Sequence, residues 1–346
     1  MEQFFVNSRL CHSNLYSFSL TINDTIMKKF LTFLLILVLL VLVGTAIYLP
    51  YSNDYQKQGK ATLDGLSERV EVIRDENNVP YIYANSMMDA IRAQGYVVAQ
   101  DRLFQMQLTR LFAEGRISEL AGEGAIGLDT RMRAFGFKRL AKEHVSKLDQ
   151  ETLEMLQVFT EGINQYIAES PNIPIEFALA GIEPEAFDAT TCVSILYYMG
   201  WGAASNYKSE FLGQLLIDRL GYERFMEIYP LTSNPAYPES MLKPSKFRPD
   251  STSVSGGWAS VGVSEELMAM LDWEPQLGWG SNNWVSGPKK SASGKPILAN
   301  DPHLDSRIMP GPLYACGIFT PKMRAVGVTV PGIPGMLIGR NDYIAT

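Results

Sequence analysis

Apolar and polar positions change rhythm three times along this chain. From Phe30 to Leu49 the run is apolar and carries no charge. As a helix rising about 1.5 Å per residue, it spans a hydrocarbon layer of about 30 Å. Lys28 and Lys29, just before it, supply the cationic flank of an export signal and hold that end in the cytoplasm. The reading Met27-Lys28-Lys29-Phe30-Leu31 is an ordinary signal start, so residues 1–26 are expected to be an upstream extension from a misplaced start codon. Leu31 to Val43 suits a signal peptide, and Gly44-Thr45-Ala46 offers small residues to a peptidase. Ala-x-Ala is missing, however, and the apolar run continues to Leu49 with Tyr48 and Tyr51 suited to an interface, so cleaved signal and retained anchor both stand.

After a polar link the rhythm changes. Val70 to Arg74 and Val79 to Tyr83 are β-prone runs separated by Asp75-Glu76-Asn77-Asn78, which predicts a hairpin. Ser86 and Asp89 supply helix-start signals for a stretch reaching Gly95. A second stretch from about Tyr96 sets Phe104, Leu108, Leu111 and Phe112 on one face and stops near Gly115. Leu153 to Ala168, Ser194 to Met199 and Glu210 to Leu220 are further helices, so residues 86–225 are expected to be mainly helical. Proline, serine and glycine then crowd residues 230–262, which reads as a linker. Beyond it, Ser281 to Val285, Pro296 to Asn300, Ala325 to Val330 and Met336 to Ile344 alternate short apolar runs with turn residues, as antiparallel strands do. The chain stops at Thr346, two residues past the last of these runs and within what reads as a strand, and so small a sheet would leave a face bare, so a truncated polypeptide is expected.

Composition narrows the chemistry. Thirty Lys and Arg against 37 Asp and Glu give a net charge of −7, which disfavours nucleic acid as a partner. Three cysteines and three histidines, with no CxxC and no HExxH, disfavour both a disulfide framework and a multi-ligand zinc site. Gly122 to Gly127 matches GxGxxG but follows a helical run, Ile117 to Ala121, and not a strand; a helix cap and turn explains it better than a phosphate cradle. Ser286-Gly287-Pro288-Lys289 has the SxxK spacing without a following KTG, and no GxSxG is present. Asp301, His303 and Asp305 alternate and would share a face of a strand, a weak metal pattern without further histidines.

Trp279-Gly280-Ser281-Asn282-Asn283-Trp284 carries more. A serine directly after a glycine, behind a spacer and at the start of a strand, is what a self-cleaving precursor needs. Glycine leaves its carbonyl open to the Ser281 hydroxyl, and an N-to-O shift followed by ester hydrolysis would free Ser281 as a new N-terminus.

With that motif in place, the chain from about residue 70 onward resembles the penicillin acylase family of N-terminal-nucleophile hydrolases. Val72 to Ala84, Gly95 to Met106 and Gly115 to Gly122 are similar to the start of the family's α subunit. Gly280 to Trp284 with Ala299-Asn300-Asp301-Pro302-His303 is similar to the start of its β subunit. The resemblance implies an α+β fold, an incomplete αββα sandwich, and an exported precursor. Its parts would be an N-terminal extension (1–29), a signal or anchor (30–49), an α-subunit region (50–243), a spacer (244–280) and the start of a β subunit (281–346), with the two subunits forming a heterodimer. It implies cleavage between Gly280 and Ser281, and hydrolysis of small N-acyl amides by the Ser281 hydroxyl with its own α-amine as base. No cofactor is implied for the chemistry.

His303 falls where penicillin G-type members tend to carry glutamine and where cephalosporin- and acyl-homoserine-lactone-type members carry histidine. This tilts the substrate toward longer or aliphatic acyl groups, and by the same analogy His303 sits beside Ser281 and helps position it. Glu210 aligns with a structural calcium ligand, although an exposed helix-start carboxylate explains it equally well. Gly200 to Ala204 is small apart from Trp201, where penicillin G-type members place larger acyl-pocket residues. The family's oxyanion donors fall beyond Thr346, so this chain alone is expected to be inactive. A non-catalytic exported protein that binds acylated ligands on the same fold is the alternative.

Overall fold

The computed structural model describes residues 24–52, 58–170, 172–203, 213, 216–228, 280–304 and 310–346. Two units are present, residues 1–54 and 55–346. The first is helix α1 (Asp24–Ser52), whose segment Met27–Tyr48 has a mean hydropathy of 3.0 and none of its side chains buried. A helix of that length and composition can cross a membrane, and an N-terminal signal has the same properties.

The second unit opens with the predicted hairpin, β1 (Glu71–Arg74) and β2 (Pro80–Tyr83), in register Glu71 to Tyr83 and Arg74 to Pro80. Its turn is fixed by Asp75, whose Oδ1 accepts from Asn77 N and Val79 N, both at 2.9 Å, and by Asn78 in the left-handed region at φ 63°. Helix α2 follows (Met87–Glu114). The Ser86 hydroxyl accepts from Asp89 N at 3.0 Å at one end, and Gly115 closes the other at φ 64°. The predicted break at Gly95 is absent, and α2 runs straight through it. At Gly95 the helix crosses α6 (Gln150–Glu169): a Cβ there would stand 2.0 Å from Phe159 O, and one at Gly162 would stand 2.1 Å from Arg92 O. Each helix thus offers a glycine to the other's backbone, and the close approach offsets glycine's low helix propensity.

Between them lie α3 (Ser118–Ala121), a 3₁₀ turn (Glu123–Ala125), α4 (Ile126–Phe135) and α5 (Phe137–Val145). Gly122, the first glycine of the GxGxxG match, ends α3 at φ 71°, the cap-and-turn reading. Helices α7 (Ile175–Ala180) and α8 (Ala189–Ala203) complete this region, with a further short helix at Tyr222–Ile228.

Strands β3 (Gly280–Ser286) and β4 (Ile297–His303) pair only with each other. The main sheet has five strands in the order β1-β2-β5-β6-β7, where β5 is Tyr314–Phe319, β6 Arg324–Thr329 and β7 Ile338–Arg340. Strand β5 is not among the strands that the sequence predicts, and it pairs parallel with β2, Ile82 against Ile318, whereas the expected ladders are all antiparallel. One face of this pair sends Ile82, Cys316 and Ile318 into the core with Ile91, Val98, Leu103, Met106, Phe159 and Ile195. On the other face Tyr83 stacks on Phe319 with ring centroids 4.7 Å apart.

Helix α2 also reaches the β5–β7 region through polar contacts. Gln94, with no exposed surface, donates to Gly335 O at 2.9 Å and accepts from Gly335 N at 2.8 Å, as a neighbouring strand would. Asp101 accepts from Arg74 at 2.8 Å and from the Tyr314 hydroxyl at 2.5 Å. The Tyr314 hydroxyl is held protonated far above its ordinary range, by burial first and by the adjacent carboxylate second.

Candidate active site

The strands that carry the chemical motif stand apart from this sheet. Strands β3 and β4 form a two-stranded antiparallel ribbon. Its seven residue pairs run from Gly280 opposite His303, through Ser281 opposite Pro302 and Asn282 opposite Asp301, to Ser286 opposite Ile297. A 3₁₀ turn at Pro288–Lys290 and a second turn, with Gly294 at φ 66°, close the connection. Proline inside β4 is tolerated because, among the described residues, the ribbon has no third strand needing its missing N–H. The ribbon is exposed: Trp284 retains 57% and Val285 74% of its accessible surface.

Alternation then sorts the side chains. Asn282, Asp301 and His303 share one face with Gly280, which has no side chain; Ser281 and Asn283 leave on the other. On the first face His303 Nε2 lies 3.2 Å from Asp301 Oδ2 and 3.5 Å from Asn282 Nδ2. The structure therefore brings His303 together with Asp301 and Asn282. Ser281 is one register step away on the backbone, but its hydroxyl points to the opposite face, so in the uncut chain the imidazole and the hydroxyl are not aligned. Asn282 has no role assigned by the motif, although strand alternation places it with His303.

Other predicted site residues fall elsewhere. Glu210, Asp305 and the spacer up to Trp279 lie outside the described residues. Among the described residues no group of three or more His, Cys, Asp or Glu could hold a metal ion, so Asp301 and His303 stand as a pair. Cys192 and Cys316 are both buried, and burial pushes the Cys316 thiol up to about 11 and that of Cys192 higher still, which leaves neither as a nucleophile near neutral pH.

Glu114, a buried acid of the helical region, meets Arg110 and Arg116 at 3.2 Å and Lys138 at 2.9 Å. Beside it Arg116 pairs with Glu185 at 2.8 Å, and this guanidinium holds the Glu185 carboxyl below its usual range. Such a fully paired cluster clamps α2 to the chain near residue 185; it presents no reactive group.

Between α5 and α8 runs an apolar groove of about 360 Å³, lined by Phe137, Val193, Leu196, Tyr197, Gly200 and Trp201. The Trp201 indole N–H is buried there without a partner among the described residues. Phe135, Phe137 and Tyr198 surround the indole, with ring centroids 5.2 to 6.1 Å from it.

Comparison with known proteins gives this geometry its context. Penicillin acylase 2 proenzyme from a Pseudomonas species (strain SE83) is 32% identical over 278 residues, covering 80% of this chain and 35% of that protein. Acyl-homoserine lactone acylase QuiP from Pseudomonas aeruginosa is 29% identical over 289 residues, covering 83% and 34%. A solved chain of the thermostable penicillin G acylase from Alcaligenes faecalis, 24% identical, superposes with a TM-score of 0.39, covering 49% of this chain and 95% of that one. The chain thus spans about a third of the length of the curated relatives it matches. The penicillin amidase family model matches residues 69–345, from just before the β1–β2 hairpin to the end of the sheet and including the Gly280–Ser281 ribbon, and the chain belongs to that family.

Proposed function

We propose that this protein is the precursor of an exported hydrolase of N-acyl amides, activated by breakage of its own Gly280–Ser281 bond. One observation carries the reading: within a family match over residues 69–345, the Gly-Ser pair opens a strand directly behind the spacer, and the partner strand carries His303. Ser281 Oγ attacks the Gly280 carbonyl carbon, its proton passes to the departing amide nitrogen, and the C–N bond gives way to an ester. Water then hydrolyses the ester, leaving a Gly280 carboxylate and Ser281 with both a free hydroxyl and a free α-amine.

In turnover the same hydroxyl attacks the substrate amide. The α-amine takes its proton and delivers it to the leaving amine; water releases the acyl group by the reverse path. An α-amine has an unperturbed pKa of about 7.7 to 8.0, so a large fraction is neutral at working pH, whereas a lysine near 10.4 would need a large shift. Cleavage also removes the constraint that Gly280 places on residue 281 in β3, freeing the new terminus to turn its hydroxyl from the face it occupies in the uncut ribbon.

The α5–α8 groove, apolar and without an acidic or basic lining group other than His144, suits an aliphatic acyl chain better than a charged one. The relatives named for penicillin and for acyl-homoserine lactones share the N-acyl amide, and that bond class is the proposed substrate. Helix α1 supplies the export signal or anchor, and the α and β pieces stay together as a heterodimer through β2–β5, Gln94 and Asp101. Calcium at Glu210 is part of the proposal as a structural ion only. In the full-length protein, N-terminal sequencing is expected to find a chain beginning at Ser281, and Ser281→Ala to give one uncut polypeptide without amidase activity. Two chains from Ser281→Ala, or an intact Gly280–Ser281 bond in an active protein, overturns the mechanism; an intact bond with acyl-ligand binding and no turnover turns the reading to a binding protein.

A further inference from the structure

We infer that Asp301 is a positioning residue that fixes the tautomer of His303, holding the proton on Nε2 and leaving Nδ1 as the basic nitrogen on the ribbon face that Gly280 shares. The inference rests on the reading of Ser281 given above, and its test separates the two.

The geometry leaves little choice. An ionised carboxylate only accepts hydrogen bonds, so the 3.2 Å contact between Asp301 Oδ2 and His303 Nε2 requires the proton to lie on Nε2. Asn282 Nδ2, 3.5 Å from the same Nε2, is also a donor. One ring nitrogen of a neutral imidazole cannot donate to Asp301 and accept from Asn282 at once, and the shorter, charge-assisted contact decides. The lone pair is then on Nδ1. His303 stands opposite Gly280 in the ribbon register, so its ring leaves on the face that Gly280 shares.

Both side chains are exposed, 44% for His303 and 59% for Asp301, so the pair adds little to folding and its loss leaves the ribbon standing. Its consequence lies in orientation, as when a carboxylate holds a catalytic imidazole in one tautomer.

The test uses the full-length protein in four versions: wild type, Asp301→Ala, Asp301→Asn and Ser281→Ala. Asp301→Ala is expected to slow the appearance of the chain beginning at Ser281 by about tenfold or more. Asp301→Asn, whose side-chain oxygen still accepts from Nε2–H, is expected to retain most of the rate. Imidazole ¹⁵N shifts are read on uncut protein in the Ser281→Ala background and assigned with His303→Gln. They are expected to show Nε2–H while Asp301 is present and a mixture of tautomers once Asp301→Ala is added. Processing of Asp301→Ala at the wild-type rate overturns the inference, as does a slowed rate with the tautomer unchanged, which marks a merely structural role. Cleavage of Ser281→Ala, or an uncut wild type, defeats the reading of Ser281 instead; the ¹⁵N shifts then decide Asp301 alone, and Nε2–H persisting without it overturns the inference.

Discussion

The helix–sheet junction and the β3–β4 ribbon are built on opposite principles. At the junction α2 crosses α6 glycine to backbone, Gln94 takes both main-chain groups of Gly335, and Asp101 receives Arg74 and Tyr314. Polar groups there are buried and matched, and contacts span more than two hundred residues of sequence. The ribbon is short, local and wet, its Trp284, Val285 and Ile297 exposed. The difference teaches where a bond can be broken with little loss of stability. Among the described residues the Gly280–Ser281 bond lies at the end of a strand with a single partner, while the pieces on either side of the spacer are joined elsewhere by buried contacts.

On that contrast, substitutions at the junction should unfold the protein without touching the chemistry. Gly95→Ala drives a methyl group into the Phe159 carbonyl, which sits on a helix backbone and cannot step aside. A loss of about 3 kcal/mol or more is expected, read from the denaturant midpoint. Gln94→Leu keeps the volume but strands the Gly335 N–H and C=O. It is expected to cost about 2 to 3 kcal/mol, and a change under about 0.5 kcal/mol would show that this latch does not hold the two regions together.

Much of this is legible in the sequence because the signals are local. Ser86 and Gly115 mark the ends of α2, Asp75 and Asn78 mark the hairpin turn, and the Gly280–Ser281 strand start follows from the spacer before it and the alternation after it. What escapes is non-local. Gly95 reads as a breaker until α6 is laid across it. Tyr314–Phe319 is hidden because Cys316-Gly317-Ile318 breaks the alternation, and its parallel partner β2 lies more than two hundred residues earlier. The face of His303 is half legible: spacing puts it with Asp301, but only the register across the turn shows that Ser281 is on the other side.

A smaller effect sharpens the contrast through pH. Asp89 is buried, which by itself raises its carboxyl, yet hydrogen bonds from the Ser67 hydroxyl and amide and from Ser86 outweigh burial and hold it below the usual range. A folded value below the unfolded one, about 3.9, means that this stabilisation is fully present above about pH 5 and is lost as pH falls through about 4 and below. The melting temperature of Asp89→Asn is therefore expected to be lower than wild type at about pH 7, and the two curves to converge toward about pH 3. Parallel curves across that range would show that Asp89 does not tie residues 67–68 to the start of α2.

The smallest expected effect belongs to the ribbon. Val285 keeps 74% of its surface and faces no core among the described residues, so Val285→Thr, which preserves β-branching, should change stability by less than about 0.5 kcal/mol. Leu103→Ala, at a core position with 2% exposure, should cost about 2 to 5 kcal/mol in the same assay. Equal losses would mean that the ribbon is part of the cooperative core, and a cut at Gly280 would then weaken the whole molecule. A gap of about tenfold or more in equilibrium constant between the two variants keeps the division: the junction carries the stability of the described residues, and the ribbon adds little to it.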